Sequence, residues 1–131
     1  MAGYSGTPLI KKLGIKEGMS LHLLHAPDHY EQLLGPLPDD TTSATEQVDF
    51  THAFYIERAD FEKELTGLMD NMDRNGMIWI SWPKKASKVP TTMNENVVRE
   101  VALPMGLVDV KVCAVDEVWS GLKLMIRKEL R

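Results

Sequence analysis

Apolar residues along this chain of 131 residues switch repeatedly between a helical period and a strand-like one. Thr7-Pro8, a capping residue followed by Pro at the first helical position, opens a short helix carrying Leu9, Ile10 and Leu13 that Gly14 stops. The apolar run Met19 to Leu24, bounded by Gly18 and Pro27, predicts a strand. Asp28 and Glu31 have capping-box spacing, and Tyr30, Leu33 and Leu34 give the next helix one apolar face before Gly35-Pro36 ends it. From Pro36 to Gln47 one large apolar residue, Leu37, stands among Pro, Asp, Thr and Ser, so 36–47 predicts a flexible surface loop.

Val48 to Ile56, rich in aromatic and β-branched residues, predicts a second strand. Asp60 then starts a helix in which Phe61, Leu65, Leu68, Met69 and Met72 recur at helical spacing and which Asn75-Gly76 closes. Met77 to Trp82 is apolar at nearly every position, as a central strand covered on both faces would be. After the loop Pro83 to Thr92, a Thr92/Glu95 capping box opens a helix with Val97, Val98 and Val101 inward, ended by Pro104 and Gly106. Val108, Val110, Val112 and Ala114, then Leu122, Leu124 and Ile126, alternate with polar residues across a short turn, which predicts a terminal hairpin.

Strand and helix alternate three times before that hairpin. The pattern predicts a single α/β domain over residues 1–131, with a mostly parallel five-stranded sheet and a C-terminal antiparallel pair. Its length suffices for a core without metal or disulfide. With 15 Lys and Arg against 19 Asp and Glu, the net charge is −4, which argues against nucleic-acid backbones and anionic membranes as partners. No apolar run near the start reaches the roughly 7 residues of a signal-peptide core or the roughly 18 of a membrane span, so the expected location is cytoplasmic. The single Cys113, between Val112 and Ala114, reads as a buried structural thiol in a strand.

Two resemblances of different reach accompany this pattern. Tyr4-Ser-Gly-Thr-Pro-Leu9, Leu13-Gly14-Ile15-Lys16, Trp82-Pro-Lys-Lys-Ala-Ser87, Asn94-Glu-Asn-Val-Val-Arg-Glu100, Gly106-Leu-Val-Asp-Val-Lys-Val-Cys113 and Trp119-Ser-Gly-Leu122 resemble a bacterial family catalogued only as domain of unknown function 3052. The order from Asn75-Gly76 through Ile78-Trp79-Ile80, a helix, Gly106-Leu107-Val108 and the hairpin is similar to the second half of S-adenosylmethionine-dependent methyltransferases. That likeness implies a truncated, methyltransferase-like (Rossmann-like) sheet. It also implies a cofactor held by a Gly-rich turn after the first strand and an acidic residue ending the second. Here the turn reads His25-Ala-Pro-Asp-His29, without glycine, and Pro27 removes an N–H donor. No cofactor is assigned on this basis.

In an open parallel sheet, ligands bind beyond the carboxyl ends of the strands. That rim gathers His25, Asp28 and His29, then Glu57 and Arg58, then Ser81, Trp82, Lys84 and Lys85, and finally Asp116, Glu117 and Trp119. His25, Asp28, His29, Ser81, Trp82, Lys84, Lys85 and Trp119 are the candidate ligand-binding residues. The lysines and the helix start near Thr92 would face an anion while a Trp offers a stacking surface; the alternative is a solvated loop with structural tryptophans. His25, Asp28 and His29 lack a second cluster to complete a metal site, so no metal is assigned, and His22 and His52 fall mid-strand. No nucleophile elbow, P-loop or other catalytic motif is present, so no catalytic residue is named.

A further expectation concerns the sheet faces. Right-handed crossovers between successive strands would place their helices on one face and leave the other to the short helix ending at Leu13, with His22, Thr51, Lys111 and Lys123 as polar residues tolerated there. Such thin cover invites a second copy or a protein partner, and eight methionines add adaptable apolar surface. The sequence therefore reads as a non-catalytic cytoplasmic protein acting by association, with itself or a partner. The alternative is a small anionic or nucleotide-like ligand at the rim, and an enzyme of unassigned reaction stands third.

Overall fold

The computed structural model describes residues 7–131; the start of the first family-like motif, Tyr4 to Gly6, lies outside them. Its helices are α1 (Leu9–Leu13), α2 (Tyr30–Leu34), α3 (Arg58–Asp70) and α4 (Glu95–Ala102). The strands are β1 (Ser20–Leu24), β2 (Thr42–Ser43), β3 (Val48–Phe54), β4 (Met72–Pro83), β5 (Leu107–Ala114) and β6 (Trp119–Ile126). They form one sheet in the order β2-β1-β3-β4-β6-β5, parallel from β2 to β4 and antiparallel through the β5–β6 hairpin. The α/β architecture and the hairpin follow the expected plan, and β4 is interior. The sixth strand is β2, two residues within the segment 36–47, whose composition predicts a loop.

The order explains which helix covers which face. From β1 the chain runs outward through α2 to β2, whereas from β3 it runs inward through α3 to β4. Right-handed crossovers in opposite directions put their helices on opposite faces. Accordingly α2 lies beside α1 over Leu13, Ile15, Leu21, Phe50, Met77 and Trp79, while α3 and α4 cover an aliphatic core around Phe61, Leu65, Ile78, Ile80, Val98 and Leu122. The expectation of all crossover helices on one face is thus corrected by β2. Strand alternation also turns His22 and Thr51 away from the α1/α2 face, so that of the four polar residues expected there only Lys111 and Lys123 lie on it.

Several local expectations change for identifiable reasons. α3 stops at Asp70, and Met72, which continued its apolar rhythm, is instead the first residue of β4, paired with Val48. Asn75-Gly76 therefore lies within a strand. A Cβ on Gly76 would sit 2.7 Å from the Val48 carbonyl oxygen, so the glycine permits a close backbone approach at the register shift between β3 and β4. The cap of α4 is Asn94, whose side chain accepts from the Val97 N–H at 2.9 Å, and not Thr92. Neither Thr7 nor Asp28 caps a helix; Pro8 and His29 hold those positions without side-chain caps. α1 ends on Gly14 at φ +88°, and the buried Trp79 indole donates to the Leu13 carbonyl at 2.8 Å, fastening this short helix to β4. Cys113 is in β5 and half-buried, with burial raising its thiol pKa.

Candidate functional site

The helices leave β1 and β3, neighbours in the sheet, toward opposite faces, so the carboxyl ends of these strands form a topological switch point. There His25, in the left-handed region at φ 57°, turns the chain out of β1. Its Nε2 lies 3.0 Å from Oε1 of Glu64 on α3, and the Tyr55 hydroxyl donates to that same oxygen at 2.7 Å. The His25 ring meets Tyr55 edge-on at 5.6 Å. Partial burial pushes the Glu64 carboxyl up, but the hydrogen bonds from Tyr55 and His25 outweigh it and hold the group below the usual carboxylate range. The crevice is occupied by the chain's own polar side chains.

On the α1/α2 face the rim is strapped across. His29, ahead of α2, bonds through Nε2 to Asp116 Oδ2 at 2.8 Å, while Asp116 Oδ1 accepts from the N–H groups of Val118 and Trp119 at 2.8 and 2.7 Å. Burial raises the Asp116 carboxyl, and these donors outweigh it to bring the net shift downward. Beneath the strap runs a buried chain: Tyr30 Oη to His52 Nδ1 at 2.8 Å, and His52 Nε2 to Ser81 Oγ at 2.7 Å. His52 and Ser81 are 0% exposed and Tyr30 2%. Burial lowers the His52 pKa to about 3, so its ring is neutral, with one nitrogen donating and the other accepting. His52 stacks on Phe54 at 4.2 Å, and Phe54 meets Trp119 edge-on at 5.1 Å.

A serine, an imidazole and a phenol in line resemble the order of a nucleophile and its base, but this serine has no open side. Its oxygen is buried, and a Cβ on Gly121, across from it on β6, would lie 3.1 Å away. The chain ties α2, β3 and β4 together and satisfies three buried polar groups at once.

The sequence-derived residues divide among these places. His25 belongs to the switch-point cluster, His29 and Trp119 to the strap, and Ser81 to the buried chain. Asp28 is exposed and makes no side-chain hydrogen bond among the described residues. The Lys84 N–H donates to the Val118 carbonyl at 2.8 Å, extending the strand ladder. Trp82 faces the opposite way from Trp119, into the α3/α4 layer, where with Lys85, Lys88, Thr91, Met93 and Asn94 it lines a depression of about 510 Å³. The rim residues therefore form separate clusters on two faces. Tyr30, His52, Tyr55 and Glu64 escaped the sequence reading. The signal for His52 was the alternation Phe50, His52, Phe54, which puts a histidine in an aromatic row.

Among the described residues no three His, Cys, Asp or Glu side chains come together as a metal site requires; His25 and His29 turn to different carboxylates. No described helix is long and apolar enough to cross a membrane.

Comparison with solved structures gives a consistent fold. The chain is similar to a SAM dependent methyltransferase from Aquifex aeolicus, with TM-score 0.65 and 16% identity over 90% of this chain and 87% of that one. It is similar to DhpI in its SAH complex, with TM-score 0.64 and 10% identity over 92% and 83%. Magnesium protoporphyrin IX methyltransferase from Synechocystis aligns with TM-score 0.56 and 8% identity over 92% and 74%. At such identities the likeness establishes the fold alone. No family model matches the chain, so the resemblance to the 3052 family rests on the quoted residues, and no curated protein matches by sequence. The residues after β1 do not fit the cofactor that this fold suggests. His25 and Pro27 stand where a glycine turn would let it approach, and His25 is engaged with Glu64. The chain folds as a single α/β domain with a methyltransferase-like sheet.

Proposed function

We propose that this chain acts by associating with another protein, a second copy or a distinct partner, and carries no catalysis of its own. The reading places it in the cytoplasm, where its lone cysteine stays reduced. One observation carries it: the outermost strand β5 presents Val110 and Val112 at 47% and 44% exposure beside Lys111, which faces Lys123 directly across the β5–β6 ladder. Like charges placed opposite each other are unfavourable, and an acidic surface would relieve them. Burial and then the neighbouring Lys111 and Lys16 lower the Lys123 pKa, as expected where positive charge concentrates in a chain of net charge −4. The register shift at Val110 interrupts the β5 edge, which favours docking of side chains over addition of a strand.

The test compares wild type with Val110→Asp/Val112→Asp by sedimentation at several concentrations and by capture from extract. A dimer or a stoichiometric partner that is lost in the variant supports the reading. A particle that is monomeric at every concentration and retains no more protein than the variant overturns it.

A second reading, a small anionic ligand at the rim, draws on the depression that joins Trp82 to Lys85 and Lys88. Replacing Lys84 and Lys85 by Ala would weaken such binding in a salt-dependent manner, and unchanged affinity would remove the site.

A further inference from the structure

The sheet is unfinished at its opposite edge, beyond β1. β2 supplies only two residues, and the last rung it makes is Ala44 N–H to the Leu21 carbonyl at 2.9 Å. Backbone groups two residues apart on a strand point the same way, so the N–H and C=O of Leu23 also face this edge. Among the described residues neither has a hydrogen-bond partner. Extended backbone holds one donor and one acceptor there side by side, in the plane of the sheet.

Leu23 is also one of the residues that line a cavity of about 730 Å³ between β1, α2 and the chain after β2. Its walls include Ile15, Leu21, Leu34 and Leu37, with Ser43 and Thr45 among the other lining residues. Leu23 and Leu37 are 42% and 47% exposed, so an apolar surface is left open where a longer strand or helix would cover it. A mostly apolar hollow of this size with few polar groups in fixed positions is the usual form of a small-molecule site. Its charge narrows the class: among the described lining residues Glu31 is acidic, none is Lys or Arg, and the one imidazole, His22, is turned by strand alternation away from the α1/α2 face. A phosphate would meet a carboxylate and no lysine or arginine.

We propose that this cavity binds an uncharged, flat heteroaromatic molecule of nucleobase type, whose adjacent ring acceptor and amino donor pair with the Leu23 N–H and C=O while its faces lie against the leucines. The site lies below the rim, on the edge opposite β5, and is independent of both readings of function given above.

The probe is free adenine, titrated calorimetrically up to about 1 mM against the whole chain, with N6,N6-dimethyladenine, which lacks the amino donor, and AMP beside it. Saturable binding of adenine, weakened about tenfold or more in both analogues, is the expected result. Leu23→Pro removes an N–H that points away from the β3 ladder, together with the leucine side chain, at an edge position that tolerates proline, and should abolish binding with the near-ultraviolet circular dichroism unchanged. Leu37→Glu, at an exposed position, tests the same mouth without touching the strand and should weaken adenine at least several-fold. No saturable adenine binding by wild type, equal affinity for adenine and its dimethyl analogue, or wild-type affinity in Leu37→Glu would each overturn the proposal.

Discussion

The two faces of the sheet are built differently. Under α3 and α4, helices of 13 and 8 residues, the buried surface is almost wholly aliphatic and aromatic, with the small Thr51 side chain as the polar exception on β3. Under α1 and α2, each of 5 residues, the sheet keeps His52, Ser81 and a lysine pair. A helix of one and a half turns offers too small an apolar stripe to cover a strand row. The remainder must be satisfied internally by hydrogen bonds or left toward solvent. The buried Tyr30–His52–Ser81 chain is the first solution; the open cavity and the Lys111/Lys123 pair are the second.

The contrast can be broken most forcefully on the aliphatic side. Phe61→Ala should cost about 3–5 kcal/mol in urea unfolding, because the surrounding Leu65, Tyr55 and Ile80 are already in place and cannot collapse into the void. On the other face the loss should depend on what remains. His52→Ala strands the Tyr30 and Ser81 hydroxyls and should cost about 3 kcal/mol, whereas adding Tyr30→Phe and Ser81→Ala to it should recover part of that loss. If the triple variant is as unstable as the sum of three independent losses, the three residues are not one network. Gly121→Ala drives a methyl to within 3.1 Å of Ser81 Oγ and 3.2 Å of the Trp79 ring, and should destabilise by about 1–3 kcal/mol.

A smaller effect separates the faces by pH. The folded-state pKa of His52, about 3, lies below its ordinary 6.5, so the unfolded chain binds the proton more readily. Stability linked to His52 is therefore full above pH 6.5 and falls as pH drops toward 3, with a slope approaching about 1.4 kcal/mol per pH unit for one proton. Measured from pH 6.5 down to about 5, above the carboxylate range, wild type should show this loss and the triple variant should not. Equal slopes in both would place the titrating group elsewhere.

Much of this molecule was legible from residue order. Period-2 and period-3.6 runs located each main strand and helix, since burial of one face imposes that rhythm locally whatever the partner. The β5–β6 hairpin and the interior place of β4 followed from the same reasoning. Boundaries that depended on a neighbour did not: Met72 fits a helical stripe equally well until its pairing with Val48 draws it into β4, and Asn75-Gly76 reads as a helix stop until β3 approaches it. Among the candidate residues, the rim position of His25, His29 and Trp119 was inferred from strand ends. That Trp82 and Trp119 face opposite layers was set by strand alternation and by which helix covers each side.

The sequence by itself determined the kinds of element, their order and the absence of a glycine turn after β1, because these are properties of adjacent residues. Only the tertiary structure decided that two residues, Thr42 and Ser43, reverse the direction of one crossover and send α2 to the face of α1. That reversal brings Tyr30 over His52, and the shortness of β2 leaves Leu23 without a partner on its outer side. Register and crossover direction arise from pairing between distant segments, a physical cause that periodicity along the chain does not contain.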